Sequence, residues 1–169
     1  MATAKQNETF ADTLATVLHQ DAEHTVYRLG GADGEVVQTV YPVFPGIEIV
    51  YHDVHATACA MQRTRAPGCL EIHHCREGRI EQPVAGGAYS YVASGDLKID
   101  DRSRHTGMFV LPLGHYRGIT VSFDLARAER SIAQALGGFP VDLRALRDRF
   151  CRGGDPFIMH DAPGAEHIF

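Results

Sequence analysis

The sequence has 169 residues, of which 44% are hydrophobic and 22% charged, and its formal net charge is -5. A chain of this length and composition can bury one genuine core, so we expect a single globular domain. The acidic balance argues against nucleic-acid binding by this chain alone, because neutralising phosphates needs a basic face. No apolar run approaches the roughly 20 residues of a membrane-spanning helix.

The N-terminal stretch and the cysteines point to the cytoplasm. Residues 1–20 lack a charged segment followed by an apolar one, so they predict no secretory signal. None of the four cysteines is part of a C-x-x-C pair. Without an export signal, free thiols in a reducing cytoplasm are expected at Cys59, Cys69, Cys75 and Cys151.

Residues 1–35 are mainly polar and end in the turn cluster 30–34. Four apolar residues fall at helical intervals within this stretch: Phe10, Leu14, Val17 and Leu18. We therefore predict an N-terminal arm or short helix followed by a turn.

Residues 36–125 have the pattern of short antiparallel strands. Ile119, Val121 and Phe123 alternate with polar residues, which indicates a strand with one buried face. Two short segments, Glu77-Gly78 and Ser94-Gly95-Asp96, each interrupt such a run and predict hairpin turns. Short strands with glycine-rich turns predict a small antiparallel barrel or a two-sheet roll.

Residues 126–169 change from the strand period to the helical one. Asp124 is a good N-cap for an amphipathic helix, Leu125–Leu136, that ends at a pair of glycines. A second helical stripe covers Asp142–Cys151. The fold class is therefore mainly β with two antiparallel C-terminal helices.

Three motifs occur in order and at plausible spacing. They are E-I-x-x-C-x-E-G-R at 71–79, G-D-L at 95–97 and P-L-G-x-Y-x-G-I at 112–119. Together they resemble the N-terminal sensor domain of AraC/XylS-type transcription regulators, over residues 39–169. The resemblance implies a cupin-like β-barrel at 36–125, followed by a helical dimerisation and linker segment at 126–169. It also implies a longer protein with a helix-turn-helix DNA-binding domain beyond this chain, because the residues before Phe169 are similar to the start of the family's linker helix.

Seven polar residues in the central stretch are the predicted ligand-binding groups. A ligand pocket needs apolar walls with a few convergent polar groups. An arginine could hold a carboxylate or phosphate through two hydrogen bonds. The alternative is that the arginines are solvated and the tyrosines pack against the barrel. The set is His74, Arg76, Tyr89, Tyr91, His115, Tyr116 and Arg117.

A metal centre is not predicted. Four residues of ligand type share one strand face (Cys69, Glu71, His73 and Cys75), but they spread along roughly 20 Å of extended strand, so at most two could share an ion. The stretch before His115 is similar to the second cupin motif. The first cupin motif requires H-x-H, however, and the sequence offers His73-His74. The sequence therefore predicts neither metal nor cofactor.

The sequence thus predicts a ligand-sensing and dimerisation domain of an AraC-type bacterial regulator. A small-molecule effector would bias how the domain docks on its partner subunit or on the DNA-binding module. Catalysis is not expected, and DNA would be contacted only through the further domain. We expect a homodimer whose contact uses Leu143, Leu146 and Phe150. The alternative is a stand-alone cupin enzyme that uses iron, manganese or zinc, with His115 as a metal ligand.

Overall fold

The computed structural model describes residues 15–30, 33–60, 68–103, 105–137, 141–162 and 164–168. Within these ranges the chain forms eleven strands, two α-helices and two short 3₁₀ turns, Arg152–Gly154 and Ala165–His167. The strands are β1 Ala15–Gln20, β2 Thr25–Gly30, β3 Glu35–Phe44, β4 Ile47–His55, β5 Ala58–Cys59, β6 Cys69–Val84, β7 Ala88–Ala93, β8 Leu97–Asp100, β9 Phe109–Val110, β10 Tyr116–Asp124 and β11 Phe157–Met159. The helices are α1 Leu125–Ala135 and α2 Leu143–Phe150.

The strands form two antiparallel layers that share one long strand. One layer has the order β1-β2-β3-β4-β10-β6-β8-β11, and the other joins β5, β9, β6 and β7. The first half of β6 pairs with β10 and β8, and its second half pairs with β7. The predicted fold class, mainly antiparallel β with two C-terminal helices, is confirmed.

Strand β6 changes layers at Gly78. This glycine has φ +83°, a left-handed backbone conformation that residues other than glycine rarely adopt. On β10, Arg117 pairs with Glu77 whereas Gly118 pairs with Cys75, so Arg76 is the extra residue of a β-bulge. The predicted hairpin at Glu77-Gly78 is therefore wrong: the strand bends there and continues. The predicted turn at Gly95-Asp96 is confirmed, between β7 and β8.

Two apolar clusters lie on opposite faces of the larger layer. The inner cluster fills the space between the layers and includes Val36, Val54, Leu111 and Tyr116. The outer cluster lies under the helices and unites sheet residues such as Leu70 with Leu125, Ala128, Ile132 and Leu143. Both faces of the central strands are therefore covered.

The two helices begin where the sequence predicts. Asp124 caps α1 by accepting the N–H groups of Ala126 and Arg127, and Asp142 caps α2 by accepting that of Ala145. Neither of these two helices is long and apolar enough to cross a membrane. All four cysteines are free.

The N-terminal prediction needs a correction. Val17 and Leu18 lie in strand β1, which pairs with β2, and not in a helix. Every residue of β1 is exposed, so this edge strand is held by backbone pairing more than by burial. Phe10 and Leu14 lie outside the described residues.

Candidate functional site

The inner face of the larger layer carries rows of polar side chains. Strand register places Val50, Thr120, His73 and Lys98 side by side on neighbouring strands. The adjacent row is Glu48, Ser122, Glu71 and Asp100. In most barrels this face would be apolar, so a polar wall inside a small fold is the feature to be explained.

A chain of hydrogen bonds runs along this wall from Gln38 to His73 and ends beside the Glu71 carboxylate. Gln38 Nε2 lies 3.2 Å from His52 Nδ1, and His52 Nε2 lies 2.8 Å from Thr120 Oγ1. Thr120 Oγ1 is also 2.8 Å from His73 Nδ1, and His73 Nε2 is 3.2 Å from Glu71 Oε2. The Thr120 hydroxyl can donate to one imidazole and accept from the other, so it couples the tautomers of the two rings.

The charged groups of the wall are paired with one another. Lys98 Nζ lies 3.0 Å from the Asp100 carboxylate, which is also in contact with His105 Nε2. The backbone N–H of Arg102 donates to Asp100 at 2.7 Å, and the Arg102 guanidinium is 3.3 Å from Glu71. Two carboxylates, Glu71 and Asp100, thus face one ammonium and one guanidinium, so these four groups are electrically balanced when the histidines beside them are neutral.

Burial controls the protonation of these groups. Desolvation lowers the pKa of His73 and of His105, although their carboxylate neighbours oppose the effect, so both imidazoles are neutral near pH 7. Burial alone would raise the pKa of Asp100. The hydrogen bond from His105 and the charge of Lys98 outweigh it, and the pKa of Asp100 lies well below its usual range.

A cavity lies between the polar wall and an apolar wall. Its apolar side is formed by Ile80, Val92 and Phe109, with Tyr116 between the two walls. The empty volume is about 570 Å³, but this figure includes space that is open to solvent. The part wide enough for the centres of water molecules is about 40 Å³. That is room for a few waters or for a small ligand.

The predicted ligand-binding residues do not come together. Of the seven, Tyr116 lines the cavity. Arg76 and Arg117 lie in a groove on the opposite, outer face of the sheet, where Arg117 pairs with Asp53 at 3.2 Å and with Glu77 at 3.6 Å. His74 is buried on that same opposite face, one residue out of phase with His73.

The remaining three predicted residues also lie away from the cavity walls. Tyr89 and Tyr91 are exposed on β7, and the Arg79 guanidinium lies 4.2 Å from the centre of the Tyr91 ring. His115 is in the loop before β10, with Nδ1 3.1 Å from the Leu113 carbonyl oxygen.

Some of the residues at the cavity that the sequence analysis did not select lie in a pattern that could have identified them. In β8, Lys98 and Asp100 alternate with Leu97 and Ile99. This alternation would ordinarily place the charges outside. Because Ile99 packs against the outer cluster under the helices, the charged residues point inward. Gln38, His52 and Thr120 were missed for the same reason, because the orientation of the sheet was unknown. Arg102 and His105 lie in the loop between β8 and β9, where strand alternation gives no signal.

The interior does not fit a cupin-type metal. His115, the ligand that the enzyme alternative requires, does not line the cavity. Among the described residues, no three His, Cys, Asp or Glu side chains of the interior bring ligand atoms within 4.8 Å of one another. The donors are instead engaged in pairs, such as His73 with Glu71 and His105 with Asp100.

No protein-family model matches the chain, and no curated protein sequence is significantly similar to it. Among solved structures, it is similar to a Cupin 2 conserved barrel domain protein from Salinispora arenicola, at 20% identity and TM-score 0.44, over 70% of this chain and 90% of that one. It is also similar to the EutQ protein of Clostridium difficile, at 14% identity and TM-score 0.41, over 63% and 74% of the two chains. A third is a mutant of Bacillus subtilis oxalate decarboxylase, at 14% identity and TM-score 0.43, over 88% of this chain and 42% of that one. At these identities and TM-scores the likeness assigns no activity.

Proposed function

We propose that the chain is the ligand-sensing domain of an AraC-type bacterial transcription regulator, and that its effector binds in the cavity between the two layers. DNA would be bound by a helix-turn-helix region that follows residue 169. The observation that carries the proposal is the polar wall inside the barrel. The three ordered motifs at 71–79, 95–97 and 112–119 support the regulator part of it.

The energetic cost of the polar wall supports a binding role. Lys98 and Asp100 are almost completely buried, and such pairs are often no more stabilising than apolar residues of similar volume. A barrel with a purely structural role would be about as stable with apolar residues in their place. Hydrogen-bonding groups facing an apolar wall are what a site for a small ligand requires.

The balance of charge indicates the class of effector. Glu71, Lys98, Asp100 and Arg102 each already have an oppositely charged neighbour within 3.3 Å, so an ionic ligand that binds one of them would have to displace that neighbour. We therefore propose a small, mainly uncharged molecule. Its hydroxyl or carbonyl groups would bond to the His52–Thr120–His73 chain, and its apolar face would lie on Val92 and Phe109.

Strand β8 offers a route from the cavity to the helices. Lys98 lines the cavity and Asp100 is its buried partner on the same face of the strand, whereas Ile99 between them packs against the cluster that contains Leu125 and Leu143. A ligand that alters the Lys98 and Asp100 contacts would therefore also bias the packing of α1 and α2. If β8 and the helices pack in two arrangements, a ligand that favours one of them would convert binding into a signal.

Effector binding can be tested by thermal shift with a panel of monosaccharides, phenols and small lactones. We expect at least one compound to raise the melting midpoint of the wild-type protein. The same compound should leave the melting midpoint of Val92→Phe unchanged, because the larger side chain fills the cavity. Val110→Phe is the matched control, since Val110 lies on β9 with its side chain exposed, and should keep the shift. A shift that persists in Val92→Phe would contradict binding in the cavity, and so would a panel without effect.

The dimer interface proposed for α2 now rests mainly on Leu146. Leu143 is buried in the outer cluster, and Phe150 contacts Phe157 within the same chain, with ring centres 4.9 Å apart. Leu146 is 37% exposed. We expect Leu146→Asp to convert dimers to monomers in sedimentation equilibrium, and Ala145→Asp, an exposed neighbour, to leave them intact. A Leu146→Asp protein that remains dimeric would exclude this surface.

A further inference from the structure

The hairpin between β1 and β2 brings two histidines and an aspartate together. His19 lies in β1, Asp21 in the turn, and His24 directly before β2. His19 Nε2 is 3.1 Å from Asp21 Oδ2, and His24 Nδ1 is 3.2 Å from Asp21 Oδ1. One ligand atom from each of the three lies within 4.8 Å of the other two.

These separations are close to those of a zinc coordination shell. Zinc binds imidazole nitrogen and carboxylate oxygen at about 2.0–2.1 Å, so neighbouring ligand atoms of a tetrahedral site lie about 3.3 Å apart. The two His–Asp distances, one to each carboxylate oxygen of Asp21, lie within a few tenths of an ångström of this value. An ion between the three groups would therefore require only small side-chain movements.

The turn already holds the carboxylate in place. Asp21 Oδ1 accepts the backbone N–H groups of Glu23 and His24, each at 2.8 Å. The His24 ring stacks on Tyr41 with ring centres 5.2 Å apart and an interplanar angle of 21°.

We propose that His19, Asp21 and His24 form a surface site for a divalent metal ion of the zinc class. Two imidazoles and one carboxylate suit Zn²⁺, Co²⁺, Ni²⁺ and Cu²⁺, whereas Mg²⁺ and Ca²⁺ prefer oxygen ligands alone. Side-chain exposures of 56% for His19 and 42% for Asp21 leave the remaining coordination positions open to water or to a group from a partner. The ion would join the exposed edge strand β1 to the start of β2.

A second histidine–aspartate pair provides the matched control. His55 Nε2 lies 3.1 Å from Asp53 Oδ1, with exposures of 60% and 50%, much like the first pair. No third donor of the described residues joins it at ligand distance. If substitutions at the two pairs change the metal affinity differently, the difference therefore reports the three-residue site and not a general affinity of exposed histidines for the metal.

The test is calorimetric titration of the tag-free protein with Zn²⁺, with Co²⁺ absorption spectra as a second readout. We expect one equivalent of Zn²⁺ to bind the wild-type protein, and the affinity to fall at least about 10-fold in His24→Gln and in Asp21→Asn. Asparagine can still accept the two backbone N–H groups, so Asp21→Asn should keep the turn, which circular dichroism can check. His55→Gln should bind like the wild type. The proposal is overturned if no saturable binding occurs, if the hairpin variants bind as tightly as the wild type, or if His55→Gln weakens binding equally.

Discussion

Replacing Asp100 by alanine should destabilise the protein by about 3–5 kcal/mol, because it leaves buried charge without its partner. The side chain is fully buried, and its carboxylate lies 3.0 Å from Lys98 Nζ and in contact with His105. It also accepts the backbone N–H of Arg102, which alanine cannot replace. Urea denaturation followed by circular dichroism measures the change.

Two further variants separate this effect from ordinary truncation. Asp53→Ala removes a carboxylate that is half exposed and paired with Arg117, so it should cost less than about 1 kcal/mol. Adding Lys98→Met to Asp100→Ala should recover part of the lost stability, because it removes the unpaired ammonium. If Asp100→Ala cost no more than Asp53→Ala, the buried ion pair would not have the role described above.

The same group makes stability depend on pH. The pKa of Asp100 is lower in the folded than in the unfolded protein, so its contribution is present above about pH 3.9 and is lost as the pH falls further. His73 and His105 also have lowered pKa values, and the unfolded chain therefore binds protons more readily below about pH 6.5. Both effects reduce stability in acid. Asp100→Ala should flatten the part of the profile below about pH 4.

Gly78→Ala should be the second strongly destabilising change, at about 2–5 kcal/mol. The left-handed backbone at φ +83° already disfavours alanine. A Cβ atom there would also overlap the His115 carbonyl oxygen and lie 3.1 Å from Tyr116 Cα. Because Tyr116 lines the cavity, relief of this overlap should distort the proposed ligand site as well. Thermal and urea denaturation measure the loss of stability.

Gly87→Ala isolates the contribution of close approach. Gly87 has φ +80°, nearly the same conformation, but nothing lies within 4 Å of a Cβ built on it. Its substitution should therefore cost about 1–2 kcal/mol from backbone strain alone. Equal losses at the two glycines would mean that the backbone of β6 and the loop at His115 separate easily, contrary to the bend described for this strand.

The periodicity of apolar residues in the sequence was sufficient to predict the helices and most of the strands. The alternation from Ile119 to Phe123, the cap at Asp124 and the two helical stripes all correspond to observed elements. Gly78 was misread as a hairpin turn, because a glycine with positive φ serves a bend within a strand as well as a reversal of the chain. β1 was misread because its exposed residues show no buried face at all.

The site could be predicted only in part, since alternation gives two faces without saying which is inside. Glu71 and His73 were correctly placed on one face, but His74 was chosen as the ligand-binding residue. The helices determine which face of the sheet is inside. Because α1 and α2 cover the face with Leu70 and Ile99, the side chains of Glu71, His73 and Lys98 point inward. That packing depends on contacts between distant parts of the chain, which a local pattern does not contain.

The central claim, a sensing domain that controls DNA binding, is tested most directly by reading the gene beyond the codon for Phe169. The account predicts that the reading frame continues into a segment with two helix-turn-helix motifs and basic recognition helices, each suited to the major groove. A stop codon directly after Phe169 would contradict it.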